Sequence, residues 1–291
     1  VADALVIDGK AVASSVRERV RAQVSELSHT YGVRPGLATI LVGDDEASEI
    51  YVRRKHEACE QVGITSFNHK LSAEASQAEL TWTIENLNAD PSVHGILLQL
   101  PLPAHIDAQA MTASIDPDKD ADGLTPVNAG LAAQGRPLVA PCTPAGIMEL
   151  LRASDTEVAG ADAVVVGRST LVGRPVSSLL LASHATVTIC HSRTRALARH
   201  CRSADILIAC VGVPNLIAGD MVAEGATVID VGMNRLQGGL TGDVDFEAAR
   251  ERARAITPVP GGVGPMTIAM LLQNTVQLAS HKLGADRYSA G

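Results

Sequence analysis

Short apolar runs recur along this chain, and longer amphipathic stretches fill the spaces between them. The runs fall near 37–42, 95–100, 163–167, 186–190, 205–210 and 226–231. The stretches near 10–30, 46–62, 75–89, 144–153, 174–183 and 194–201 carry their apolar residues at helical spacing. Continuous apolar strands alternating with helices predict parallel sheets covered on both faces, an α/β fold. A last helical stripe passes through Ile268, Leu271, Leu272, Val276 and Ala279, with Pro265 suited to its first turn. Two punctuated segments interrupt the pattern: 116–126, with a polar continuation to Pro141, and 257–265. These are read as the connections between two lobes. The pattern contains no internal repeat and no low-complexity tract.

Composition narrows the picture. At 291 residues the chain has room for one large domain or two ordinary ones. The net charge of -8, from 24 basic and 32 acidic residues, disfavours nucleic acid or an anionic membrane as main partner. Aromatics are 2% of residues, so the core must be aliphatic and base-stacking platforms are not expected. No apolar stretch is long enough to span a membrane, and the first residues lack the pattern of a signal peptide. Five cysteines without paired spacing fit a reducing cytoplasm and argue against disulfides or a zinc site.

Candidate chemistry begins at Tyr51 and Lys55. Four residues is one helical turn, so phenol and amine share a face. Such a lysine can move protons near neutral pH, although a surface lysine above a packed tyrosine has the same spacing. A Tyr-x-x-x-Lys pair also marks short-chain dehydrogenases. There it follows an N-terminal glycine turn, whereas here it precedes the glycine turn by more than a hundred residues.

That turn is Ala163-Val-Val-Val-Gly167-Arg168-Ser169, with Gly173 four residues on. Strand, glycine turn and helix start form a site for a dinucleotide pyrophosphate, though a plain strand-to-helix turn also needs glycine. The next strand ends in His191-Ser192-Arg193-Thr194, with no acid to read a ribose 2′-hydroxyl. A hydroxyl and an arginine there, with Arg168 nearby, favour a 2′-phosphate and hence NADP over NAD. The alternative is that both arginines are solvated loop residues.

Two other motifs lead nowhere. The acidic run 118–122 resembles a calcium loop, but Ala129 stands where a bidentate glutamate is required. His56 and Cys59 on one helix make a poor metal site. No metal is expected.

Together, several segments resemble the bifunctional 5,10-methylenetetrahydrofolate dehydrogenase/cyclohydrolase family over nearly the whole length. They are 42–55, 95–103, 118–123, 141–144, 167–175, 230–234, 242–244 and 258–267. The resemblance implies two α/β lobes. A catalytic, folate-binding domain would occupy 1–140, completed by a C-terminal helix at 265–291 returning to it. A Rossmann-type NADP-binding domain would occupy 141–264.

It implies that Lys55 is the catalytic lysine, with Tyr51 beside it and Gln99 hydrogen-bonding near it. Asp122 would hold the pterin, and Pro260, Gly261, Gly262 and Val263 would line the folate site. Gly167, Arg168, Ser169, Gly173, Ser192 and Arg193 would surround NADP. The implied reaction is hydride transfer from 5,10-methylenetetrahydrofolate to NADP+, then hydrolysis of the methenyl cation to 10-formyltetrahydrofolate. A cytoplasmic homodimer is the family analogy.

Two positions depart from the family pattern. Leu124-Thr125 follows Asp122-Gly123, and Glu49 stands beside Tyr51. A carboxylate near Lys55 would favour its protonated form. A dehydrogenase with weakened cyclohydrolase activity, or a sensor binding NADP without turnover, therefore stay open as alternatives.

Overall fold

The computed structural model describes residues 3–237 and 239–285. The chain begins with β1 (Leu5–Val6), α1 (Gly9–Tyr31), β2 (Gly36–Val42), α2 (Glu46–Val62), β3 (Thr65–Leu71), α3 (Gln77–Ala89) and β4 (Gly95–Leu98). It continues through α4 (Ala108–Ala113), α5 (Pro126–Ala133), α6 (Cys142–Ala153), β5 (Asp162–Val166), α7 (Gly173–Ala182), β6 (Thr186–Cys190) and α8 (Leu197–Cys201). Last come β7 (Ile206–Ala209), β8 (Thr227–Asp230), β9 (Asn234–Leu236), β10 (Gly239–Thr241), α9 (Phe246–Arg250), β11 (Ala255–Ile256) and α10 (Val263–Lys282). Among the described residues, no helix is long and apolar enough to cross a membrane.

Two compact units divide the chain. One comprises Ser15–Ala132, Arg136–Ala140 and Ile268–Gly291. Its parallel sheet has the order β3-β2-β4. Strand β2 is central and buried throughout, which is why Gly36–Val42 reads as an unbroken apolar run. Ala38, Ile40, Leu80, Ile84, Ile96 and Met111 make an aliphatic core beneath it. Edge strand β3 is half-buried and polar, so its sequence gives no apolar signal.

The other unit comprises Val1–Ser14, Ala133–Gly135 and Pro141–Thr267. Its six-stranded sheet runs β1-β11-β8-β7-β5-β6, parallel throughout. Val164, Val166, Leu207, Ala209 and Val228 fill its core. Strand β5 lies between β6 and β7, so the chain reverses its direction of travel across the sheet there. In open α/β sheets such a reversal leaves a crevice outside the strand ends where ligands bind.

These units differ from the expected 1–140 and 141–264 boundaries at the N-terminus. Strand β1 joins the six-stranded sheet, with Leu5 opposite Ala255 and Val6 opposite Ile256. A two-residue strand leaves no periodic pattern to read. Segment 257–265, expected as a connection, lies within the second unit, and α10 starts inside it.

Candidate active site

Asp45 starts the helix that carries the first candidate group. Its carboxylate accepts the Ser48 N–H at 2.8 Å, satisfying a free donor of the first turn of α2. Hydrogen bonds from Ser48 hold the Asp45 carboxyl below its usual range. Lys55 lies three turns along, on the face of Tyr51, and is only 8% exposed.

The second group comes from the neighbouring strand. Gln99 directly follows β4, its N–H bonded to the Ile40 carbonyl of β2 at 2.9 Å. Lys55 Nζ donates to Gln99 Oε1 at 2.9 Å, and Gln99 Nε2 donates to the Leu100 carbonyl at 2.7 Å. The amide is thus held at both ends, with its oxygen toward the lysine. Cys59, one turn beyond Lys55, is not a proton carrier near neutral pH, because burial pushes its thiol up to about 12.

Glu49 pairs with a lysine of β3. Its carboxylate takes Lys70 Nζ at 2.6 Å, and Lys70 also meets Asp44 Oδ1 at 2.7 Å. These hydrogen bonds raise the Lys70 ammonium above its ordinary range. The extra acid has its own cation at the end of β3.

Asp122 sits in a loop secured by buried groups. Asp120, 1% exposed, accepts Thr125 N–H at 2.7 Å and Asn128 Nδ2 at 3.0 Å. Thr125 Oγ1 in turn accepts the Asn128 N–H at 3.3 Å, at the start of α5. Thr125 therefore anchors the loop. Asn274 Nδ2 on α10 donates to the carbonyls of Ala121 and Ala140, both at 2.9 Å. Gly123 takes φ +68°, which lets the chain turn directly after a half-buried Asp122.

In the second unit, Gly167 closes the exit of β5 with φ +133°. A Cβ there would lie 2.4 Å from the Cys210 carbonyl oxygen, and one on Gly173 would lie 2.4 Å from that of Gly167. Both glycines are needed for the turn and the start of α7 to close on each other. Ser169 Oγ accepts the N–H groups of Val172 and Gly173 at 3.1 and 3.3 Å, shaping the same turn. Strands β5 and β6 end level, Val166 opposite Cys190. Arg168, Ser192 and Arg193 therefore emerge from adjacent strand ends, all exposed. The His191 N–H donates to Thr194 Oγ1 at 2.8 Å and His191 Nδ1 accepts the Arg193 N–H at 3.1 Å, a tight turn that presents Ser192 and Arg193.

Pro260, Gly261, Gly262 and Val263 also fall in this second unit, at the start of α10. Their loop is packed against the start of α1: a Cβ on Gly9 would meet the Gly262 carbonyl oxygen. Thr143 and Thr267 hydroxyls meet at 3.0 Å, joining the starts of α6 and α10.

Asp230 and Asp243 were not singled out by sequence reasoning. Asp230 accepts the N–H groups of Gly232, Asp243 and Val244 at 2.9, 2.9 and 3.0 Å. Burial nevertheless pushes its carboxyl up to about 6, with Asp243 adding to the rise. The signal lay in the flanking glycines: a Cβ on Gly242 would strike Asp230 Oδ2, and one on Gly232 would strike Asp243 Oδ1.

Residues 7–122 match the tetrahydrofolate dehydrogenase/cyclohydrolase catalytic domain, and residues 141–283 match the NAD(P)-binding domain of the same proteins. The chain belongs to the tetrahydrofolate dehydrogenase/cyclohydrolase family. It is 58% identical over 277 residues to the bifunctional protein FolD of Moorella thermoacetica, covering 95% of this chain and 99% of that one. The FolD of Magnetococcus marinus is 57% identical over 273 residues, 94% and 96% of the two chains. Among solved structures, the FolD enzyme of Campylobacter jejuni is 47% identical with a TM-score of 0.92, covering 95% of this chain and 99% of its own. That of Trypanosoma brucei, solved in complex with NADP cofactor and inhibitor, is 42% identical, also at 0.92, over 97% and 99%. Family membership makes this chain a bifunctional dehydrogenase and cyclohydrolase of one-carbon folate metabolism. The weakened-cyclohydrolase and sensor alternatives are set aside.

Proposed function

We propose that Lys55 carries the protons of the cyclohydrolase step, with Tyr51 and Gln99 positioning it. The reading rests on one observation: a buried amine held 2.9 Å from the oxygen of a doubly bonded amide, on the helix that bears Tyr51. The substrate of that step is the 5,10-methenyl cation, which is electrophilic without further activation. Water adds to its one-carbon bridge, loses a proton, and the ring opens to 10-formyltetrahydrofolate. An amine with a fixed acceptor can relay the protons of addition and opening.

NADP+ is the proposed hydride acceptor for the preceding oxidation of 5,10-methylenetetrahydrofolate, and the redox chemistry is its own. Gly167 and Gly173 would allow close backbone approach to the pyrophosphate, with Ser169 keeping the turn in shape. Arg168, Ser192 and Arg193 would hold the 2′-phosphate, since no acid stands at the exit of β6. The complex of the trypanosomal relative with NADP supports this choice. Asp122 would pair with the guanidine-like edge of the pterin, a two-point contact that fixes ring orientation. Pro260, Gly261, Gly262 and Val263 would line the folate site. The unit containing 15–132 would carry the folate chemistry and the six-stranded unit the dinucleotide.

We further propose a cytoplasmic homodimer, by analogy with the family. Quenched assays reading NADPH and the methenyl product separately test the function. NADPH formed together with 10-formyltetrahydrofolate supports it; methenyl product accumulating without hydrolysis would overturn the role given to Lys55.

A further inference from the structure

Asp243 is fully buried and takes no part in the steps above. Among the described residues, its carboxylate oxygens accept three hydrogen bonds. Oδ2 accepts the Val211 and Gly212 N–H groups at 2.6 and 2.9 Å, and Oδ1 accepts Asn234 Nδ2 at 3.0 Å. A buried carboxylate is tolerated when such bonds offset its lost hydration. Their location gives them meaning. Val211 and Gly212 are the first residues beyond Cys210, whose carbonyl lies against Gly167. Cys210 N–H also donates to the Val166 carbonyl at 2.8 Å. The exits of β5 and β7 flank the reversal in strand order, so they form the two walls of the crevice.

Two successive N–H groups converging on one oxygen require a concave backbone, which an extended strand cannot supply. Gly212 provides it at φ +69°. The backbone of Asp243 is itself held, because its N–H donates to Asp230 Oδ1 at 2.9 Å and its carbonyl accepts the Ile217 N–H at 3.0 Å.

We propose that Asp243 is a positioning residue for the dinucleotide. Through the Val211–Gly212 backbone and Asn234 it sets the wall of the crevice opposite the Gly167–Gly173 turn. The inference rests on the dinucleotide reading above. It requires an acceptor-only group at position 243, because three donors surround it. An asparagine there could take the two backbone N–H groups on its oxygen. Its own NH2 would then face the NH2 of Asn234, donor against donor.

The test is a side-chain swap, read by two activities of the full-length protein. Asp243→Asn should raise the KM for NADP+ about tenfold, the scale of one lost charge-assisted hydrogen bond. Hydrolysis of preformed methenyltetrahydrofolate, which uses no dinucleotide, should persist. Asn234→Asp alone should also impair NADP+ use, by placing carboxylate against carboxylate. The double variant Asp243→Asn/Asn234→Asp restores a donor facing an acceptor and should bring the KM back to within about threefold of the parent. A KM unchanged in Asp243→Asn would overturn the inference. So would a double variant no better than the singles, or parallel loss of both activities in every variant, which marks a general folding role. Failure of the unmodified protein to bind NADP+ would instead overturn the dinucleotide reading itself.

Discussion

Lys55 Nζ stands 2.9 Å from Gln99 Oε1, and the same amide donates from Nε2 to the carbonyl of Leu100. The two side chains come from different elements around β2: Lys55 from the helix that follows it, Gln99 from the end of its neighbour β4. The second bond fixes which end of the amide faces the lysine, so an acceptor is always presented to the amine. Only the parallel register of β2 and β4, with Ile40 opposite Leu98, brings these positions together.

Asp122 provides a test of the shared folate site. Asp122→Ala should weaken folate binding and slow both activities together, because both reactions use one pterin. Losing one member of a charge-assisted pair costs about 2–5 kcal/mol, and a half-buried side chain belongs at the lower end, roughly thirty-fold in affinity. Folate titration of the variant measures this. An unchanged affinity would remove Asp122 from the site.

Arg168 tests cofactor choice. NADP+ should be preferred over NAD+, and Arg168→Ala should weaken NADP+ far more than NAD+. Since Arg168 is exposed, the effect should be about tenfold and should shrink in high salt. Steady-state kinetics with both cofactors read it. Equal losses for the two would mean that Arg168 serves the shared pyrophosphate or folding.

His94 makes stability depend on pH. Its ring is buried, and Nδ1 accepts the Gly36 N–H at 3.1 Å. Burial, followed by the charges of Lys282 and Lys119, holds the imidazole below its ordinary range, against smaller opposing effects of Ser92 and Asp90. The native ring stays neutral where the unfolded ring takes up a proton. The His94 contribution is therefore fully present above the unfolded value of about 6.5 and declines as pH falls through it. Urea unfolding at pH 7.5 and 5.5 should show a larger loss in the parent than in His94→Gln. Equal losses would assign the acid sensitivity to other groups.

The pattern of apolar runs made the buried strands β2, β4, β5, β7 and β8 legible, because a strand covered on both faces is apolar at every position. The half-buried edge strand β6 was read with the apolar runs, and its Thr186, Val187, Thr188 and Ile189 are β-branched residues suited to a strand. Strand β3 was not legible, since its half-exposed edge is polar, nor were β1 and β11, two residues each. Helix α5 was hidden in a stretch read as polar and Gly-containing; its start is held by Thr125, Asn128 and Asp120, contacts that only folding assembles. At the site, the helical spacing of Tyr51 and Lys55 was visible, but the partner of Glu49 was not. Lys70 lies 21 residues away on a strand the pattern missed. Segments 230–234 and 242–244 stood out in the sequence, but the hydrogen bonding of Asp230 and Asp243 did not: apart from the Asn234 amide, the donors are backbone groups brought in by tertiary contacts.

The measurement that bears most directly on the account is the fate of the methenyl product in Lys55→Met. Methionine fills much of the volume of a buried lysine without its amine, so the fold should be kept. With 5,10-methylenetetrahydrofolate and NADP+, the variant should still form NADPH, and 5,10-methenyltetrahydrofolate should accumulate without enzymatic hydrolysis. Hydrolysis at the parent's rate in this variant would contradict the assignment of Lys55 as the proton carrier.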